Sequence, residues 1–416
     1  MLWIPAFAGM TSYEIEFNFG VIPFNFGVIP AKAGIQKIFQ SMKDFFSKQL
    51  QLQKEKNLYR WLVESDVVDA VTVKRGAKKL ISFCSNDYFA LSQNSAVKKA
   101  AIDAIKKFGV GAGASRYVTG NNSLYTKLEK EIASYKKCDD AIIFSSGYAT
   151  AIGVVPALAG EGDLIVADRL IHSSLIDGAK LSGAKLMRFL HNDFLHAKKI
   201  LEENRGKFKK CLIITETVFS MDGDVGCVSQ LLELAKKFDA ILISDDAHGL
   251  GQKQITHAQH LQLGTFSKSF GSLGGYVAGE KNLIDYLRNF AKSQIYSTAL
   301  PPSILAASLA SLKIIKQKNP AKIALENAKY FCELMNLPKP QSAIVPIILG
   351  DEKTVLKIAR EVEKNGILIS AIRPPTVEPG KSRLRITFSF AHKKDQIKNL
   401  AKILTKNLSI KAVHGL

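Results

Sequence analysis

The sequence predicts an α/β fold: a large domain built on a mostly parallel, doubly wound sheet, followed by a smaller C-terminal α/β domain. Two observations carry this. Short, wholly apolar runs recur at Ala141 to Phe144, Leu164 to Ala167, Cys211 to Ile214 and Ala240 to Ile243. They have the length and continuity of strands buried on both faces by crossover helices. Between and around them lie segments of helical period, among them Ser123 to Tyr135, Val228 to Phe238 and Leu283 to Ala291, where apolar residues return every three or four positions. Strand and helix therefore alternate, which is the pattern of a parallel sheet.

Each strand runs into a polar cluster. Ala141 to Phe144 ends at Ser145-Ser146-Gly147-Tyr148, and a helix is expected from Ala149 to Ala157. Leu164 to Ala167 ends at Asp168, with His172 four residues on. Cys211 to Ile214 leads to Thr215-Glu216, then Ser220 and Asp222, while Ala240 to Ile243 leads to Asp245, Asp246 and His248. A poorer strand, His260 to Leu263, precedes Gly264-Thr265-Phe266-Ser267-Lys268-Ser269-Phe270-Gly271. In open α/β sheets ligands bind outside the carboxyl ends of strands, so these clusters are expected to meet in one crevice. Beyond them, Ile344 to Leu349, a helix over Thr354 to Asn365, Ile367 to Ile369, Leu384 to Phe388 and a helix over Lys394 to Thr405 form the smaller domain. The expected division is 1–41, an N-terminal segment 42–90, a large domain 91–300 and a small domain 301–416, within a length ample for two domains.

The formal charge of +20 raises nucleic-acid and anionic-membrane binding. The lysines, however, are scattered over solvent-facing helix positions such as Lys98, Lys99, Lys106, Lys107, Lys236 and Lys237, with no arginine-rich tail and no interleaved aromatics, so neither partner is expected. The five cysteines are odd in number and show no C-x-x-C pairing, which suits reduced thiols in a cytoplasmic protein. No apolar run approaches the roughly 18 to 20 residues of a membrane span. At the N-terminus Phe17-Asn18-Phe19-Gly20-Val21-Ile22-Pro23 repeats at once as residues 24–30. Two copies do not make a solenoid, and no basic leader precedes a long apolar core. Residues 1–41 are therefore read as a repeat-derived extension or a start assigned too early, with the natural chain beginning near Met42.

Lys268 is the residue of greatest chemical interest. Lysine forms Schiff bases with carbonyl cofactors, and pyridoxal phosphate further needs a phosphate cradle, an acid facing its pyridine nitrogen, a ring stacked on it and a donor to its phenolic oxygen. Ser146, Gly147 and Tyr148 at a helix N-terminus, with Thr265 and Ser267, suit the phosphate. Asp245 suits the pyridine nitrogen, His248 the phenolic oxygen and His172 the stack. Each has an ordinary structural alternative when taken alone: a capped helix start, a carboxylate paired with a surface lysine, or a histidine satisfied within the crevice.

Together, Ser85-Asn86-Asp87-Tyr88, Gly111-Ala112-Gly113-Ala114-Ser115-Arg116, Ser146-Gly147-Tyr148, His172 to Gly178, Phe219 to Asp224, Asp245 to Gly249 and Gly264 to Lys268 closely resemble the α-oxoamine synthases. These are fold-type I pyridoxal phosphate enzymes with a seven-stranded type of sheet that join an amino acid to an acyl thioester with loss of carbon dioxide. The resemblance runs from about Asn57 to Leu404. Through Leu181 to Lys185, His191-Asn192-Asp193 and Ala371 to Val377, it points to the branch of biotin synthesis that uses L-alanine and a pimeloyl thioester, carried on coenzyme A or a carrier protein. Branches that make aminolevulinate or transfer acetyl groups to glycine are the rivals, and a noncatalytic basic binding protein on the same fold is a more distant one.

The resemblance implies that Lys268 is the Schiff-base lysine and the base at the alanine Cα, and that His172 stacks on the ring. It implies that Asp245 pairs with the pyridine nitrogen, and that His248 and Ser220 reach the phenolic oxygen. Gly147, Tyr148 and Thr265 match the phosphate site. Thr298 matches a hydroxyl donated by the neighbouring subunit, implying a homodimer with shared active sites. Arg385 matches the carboxylate-binding arginine, a role suited to a bidentate guanidinium; Arg373 assists it, Asn86 lies in the matching substrate region, and Arg60 matches an acyl-chain contact. One departure stands out. The stretch from Gly251 to Leu263 is shorter than the family's by about one αβ connection, and with so polar a strand before Lys268 this edge of the site is expected to be irregular.

Overall fold

The computed structural model describes residues 31–251 and 257–408. The repeat-bearing segment that motivated the reading of residues 1–41 lies outside the described residues. The described chain falls into two compact units, one reaching to Tyr59 and one beginning at Arg60. The first contains the helix Ala31–Glu55.

In chain order the strands are β1 (Asp66–Val67), β2 (Thr72–Arg75), β3 (Lys78–Ser82), β4 (Asp140–Phe144), β5 (Leu164–Asp168), β6 (Lys185–Phe189) and β7 (Cys211–Glu216). They continue as β8 (Ile241–Asp245), β9 (His260–Thr265), β10 (Gly275–Gly279), β11 (Ile344–Gly350), β12 (Ile367–Leu368), β13 (Ser370–Ile372) and β14 (Ser382–Thr387). The central sheet has seven strands in the order β4-β10-β9-β8-β7-β5-β6. Only β10 runs antiparallel to its neighbours. This is the mostly parallel, doubly wound sheet that the sequence predicts.

Side chains alternate across the sheet. Ile165 and Ala167 face one layer with Val154, Val155 and Leu175 of the covering helices, while Leu164 and Val166 face the other with Ile200, Leu201 and Leu231. Both faces are covered, which is why these strands read as continuous apolar runs.

The smaller α/β part is centred on the antiparallel sheet β11-β14-β13. Its core includes Phe331, Leu384, Phe388, Ile397 and Leu400, and Phe83 from the N-terminal side joins it. The run Ile367 to Ile369 also reaches toward that side, because β12 pairs in parallel with β3.

Residues 252–256 of the shortened stretch lie outside the described residues, but the strand before Lys268 is regular, contrary to expectation. β9 is an interior strand, parallel to β8 and antiparallel to β10, and it is buried throughout. Its polar side chains are satisfied: His260 Nε2 lies 2.8 Å from Ser244 Oγ, and Gln262 Nε2 donates to the Lys136 carbonyl at 3.3 Å. Polarity here reflects internal hydrogen bonding rather than an exposed edge. Among the described residues no helix is long and apolar enough to cross a membrane.

Candidate active site

The carboxyl ends of β7, β8 and β9, with the turns after β4 and β5, enclose a cavity of about 250 Å³. Ser146, Gly147, Tyr148, His172, Ser220, Asp245, His248, Thr265 and Lys268 all line it, so residues dispersed over more than a hundred positions of sequence meet as the strand-end rule requires.

On one side the helix Gly147–Leu158 begins. Ser146 caps it, its hydroxyl accepting from the Ala149 N–H at 3.0 Å, and the first-turn N–H groups of Gly147 and Tyr148 have no acceptor within the helix. A Cβ on Gly147 would stand 3.2 Å from Thr265 Cβ, so the missing side chain keeps this concavity open. Thr265 donates to the Gly274 carbonyl at 2.8 Å and lies 2.7 Å from Ser267 Oγ. Hydroxyls and amide dipoles at a helix N-terminus form an anion cradle. The Tyr148 hydroxyl donates to Asp177 at 2.7 Å, which holds its ring at the mouth.

His172 precedes the helix Ser173–Ser182, and its Nδ1 is 2.7 Å from Ser174 Oγ. Asp245 ends β8, and its Oδ1 accepts from the Ala247 N–H at 2.9 Å. The Lys268 Nζ lies 2.7 Å from His248 Nε2, and His248 Nδ1 lies 2.8 Å from the Tyr88 hydroxyl. Burial, reinforced by the positive charges of Lys268 and Arg385, holds His248 well below the usual histidine range. Being neutral, it accepts from Lys268 at one nitrogen and donates to Tyr88 from the other. Burial also lowers the Lys268 amine, against the opposing pull of the Asp245 carboxylate, which favours its use as a base.

Arg385, on β14, reaches toward this chain of groups. It donates from Nε to the Ser220 carbonyl at 2.5 Å, to Asn86 Oδ1 at 3.2 and 3.3 Å, and from Nη2 to the Tyr88 hydroxyl at 3.2 Å. Arg385 and Asn86 thus adjoin the His248 side of the cavity. Arg385, Asn86, Arg60 and Arg373 are none of them among its lining residues; Arg60 donates to Thr376 Oγ1 at 3.2 Å. Thr298 is exposed and bridges Ser115 outside the cavity.

Two residues were assigned no role from sequence. Tyr88 links His248 to Arg385 through contacts that only tertiary structure creates. Glu216, buried at the end of β7, lines the cavity; its place after a strand was the available signal.

These groups fit pyridoxal phosphate: a cradle that a single Cβ would crowd, a carboxylate, and an amine at the same cavity wall. The family model "Aminotransferase class I and II" matches residues 78–404. The 8-amino-7-oxononanoate synthase of Methylobacterium nodulans is 42% identical over 84% of this chain and 92% of its own. A solved 8-amino-7-oxononanoate synthase from Francisella tularensis superposes with a TM-score of 0.65 at 29% identity, over 79% of this chain and 97% of the other. Serine palmitoyltransferase from Sphingomonas wittichii gives a TM-score of 0.80 at 23% identity, over 88% and 97% of the two chains, a likeness of fold. The chain belongs to the aminotransferase class I and II family of pyridoxal phosphate enzymes and, within it, to the α-oxoamine synthases, the group of its 8-amino-7-oxononanoate synthase relatives.

Proposed function

We propose that this enzyme joins L-alanine to a pimeloyl thioester, giving 8-amino-7-oxononanoate, carbon dioxide and the free thiol carrier, in biotin synthesis. The observation that carries the reading is the single cavity in which Lys268, Asp245, His172 and the Gly147 cradle meet, in a chain 42% identical to a synthase of that name.

Gly147, Tyr148, Ser146 and Thr265 would hold the cofactor phosphate, Asp245 would pair with the pyridine nitrogen, His172 would stack on the ring, and Ser220 and His248 would reach the phenolic oxygen. When bound, the cofactor supplies the electron sink for the pair left at Cα. The protein supplies the rest. Lys268 takes the Cα proton of alanine, its amine lowered by burial and standing 2.7 Å from His248 Nε2. Arg385 grips the alanine carboxylate until that group departs as carbon dioxide, with Asn86 orienting the guanidinium. Arg373 and Arg60 serve the outer, acyl end.

Thr298, exposed and outside its own cavity, is offered to the cofactor phosphate of a neighbouring subunit in a cytoplasmic homodimer. The net positive charge of the chain suits an acidic carrier, whether coenzyme A or a carrier protein.

The deciding experiment pairs alanine or glycine with pimeloyl, acetyl and succinyl thioesters. Alanine with pimeloyl thioester is expected to give a kcat/KM at least about tenfold above every other pair, the scale at which one methyl group or a few methylenes are discriminated. Preference for glycine with acetyl or succinyl thioester would assign the chain to a sister activity.

A further inference from the structure

Glu216 stands apart from the residues used above. It closes β7, is 2% exposed, lines the cofactor cavity, and its Oε1 has no hydrogen-bond partner in the protein. In the parallel register of β7 and β8 it lies directly across from Asp245, so the sheet brings two carboxyl groups to one level of the same cavity wall.

Asp245 from β8, Lys268 from the turn after β9, and the backbone N–H groups of His172 and Ser220 act on it. One amine cannot neutralise two carboxylates, and two like charges side by side in a buried site do not both ionise. Asp245 is the less buried of the two and already receives the Ala247 N–H at 2.9 Å. Burial, with the Asp245 charge added, pushes the Glu216 carboxyl well above the usual range. A neutral acid has a proton to donate, and Oε1 is the oxygen left to carry it.

We propose that Glu216 is a positioning residue for the cofactor: a carboxylic acid that stays neutral and turns its Oε1 hydroxyl toward the Asp245 side of the cavity. Its role is to fix the Asp245 carboxylate against the pyridine nitrogen while adding no second negative charge beside Lys268. This rests on the pyridoxal phosphate reading above, but the first measurement is independent of it.

Infrared difference spectra of the unloaded protein at neutral pH, wild type minus Glu216→Gln, are expected to show the carbonyl stretch of a protonated carboxylic acid. Its absence overturns the proposal, whether or not the protein binds cofactor. The second measurement is cofactor affinity, together with the pH midpoint of the visible absorbance of loaded protein. Glu216→Gln, the isostere of the neutral acid, is expected to stay within about threefold of wild type in affinity with an unmoved midpoint. Glu216→Leu, which lacks the donor, is expected to bind about tenfold more weakly. A displaced midpoint in Glu216→Gln marks an ionised Glu216 and overturns the proposal; Glu216→Leu equal to wild type reduces the side chain to filler and does the same. Wild-type protein that binds no pyridoxal phosphate yet shows the band sinks the cofactor reading and leaves the neutral acid standing.

Discussion

The side chain that most directly constrains the amino-acid substrate is Arg385. Its guanidinium is held from three directions, by the Ser220 carbonyl, Asn86 and the Tyr88 hydroxyl, so its orientation is set before substrate arrives. Lysine in its place keeps the charge but not the planar fork. Arg385→Lys is therefore expected to raise the KM for the amino acid about 10- to 100-fold, the cost of roughly 1.5–3 kcal/mol in charge-assisted hydrogen bonds, while cofactor affinity changes little. Steady-state kinetics beside a cofactor titration would check this, and an unchanged KM would remove Arg385 from substrate binding. At this scale the sequence was most informative where a residue follows a strand. Lys268, Asp245 and His172 each stand just beyond an apolar run, and the sheet alone delivers them to one place. Tyr88 precedes His248 by 160 positions, and nothing local marks their hydrogen bond.

Helices and strands locate that wall as rigid units, so their contacts matter as much as the residues they carry. The helix Ser173–Ser182, which begins at His172, lies against the helix Gly147–Leu158, which begins at the phosphate cradle. They approach so closely at Gly178 that an added Cβ would sit 2.8 Å from the Ala151 carbonyl oxygen and 3.1 Å from Val155 Cβ. Gly178→Ala must push the helices apart, with an expected loss of about 1–3 kcal/mol. Because the shift separates His172 from Gly147, cofactor affinity should fall along with the denaturation midpoint; a drop in stability with unaltered affinity would uncouple the two helix starts. The same scale explains where periodicity misled. β9 carries His260 and Gln262 in an interior position because Ser244 and Lys136 satisfy them, whereas an isolated reading sees only polar residues in a strand. β10 (Gly275–Gly279), short and rich in glycine, shows little strand pattern of its own; flanking strands on both sides define it.

For the molecule as a whole, two histidines that do not line the cavity set opposite limits on stability. His392 is buried, its ring stacked on Phe83 at 4.0 Å and its Nε2 hydrogen-bonded to the Ser82 carbonyl at 3.1 Å. Burial lowers its pKa from 6.5 to about 4. Between those values the unfolded chain binds a proton that the folded chain refuses, so stability falls as pH drops from 6.5 toward 4, by up to about 3 kcal/mol. His191 behaves in the opposite sense. Burial alone would lower it, but its nitrogens lie 3.1 Å from Asp168 Oδ1 and 2.8 Å from Asp224 Oδ2, and these carboxylates raise it to about 10. Its contribution is complete below pH 6.5 and is lost as pH climbs toward 10, by a few kcal/mol after allowance for partial solvent access. Stability should therefore peak between the two limbs. Denaturation midpoints across this range are expected to show a flattened acid limb in His392→Gln and a flattened alkaline limb in His191→Gln, with each variant leaving the other limb in place. Loss of both limbs in either variant would mean that carboxylates or lysines elsewhere govern the profile. The structure gives a reason to expect independence: His392 packs in the core of the smaller part, while His191 ties the end of β5 to the turn that carries Ser220, and the two share no partner.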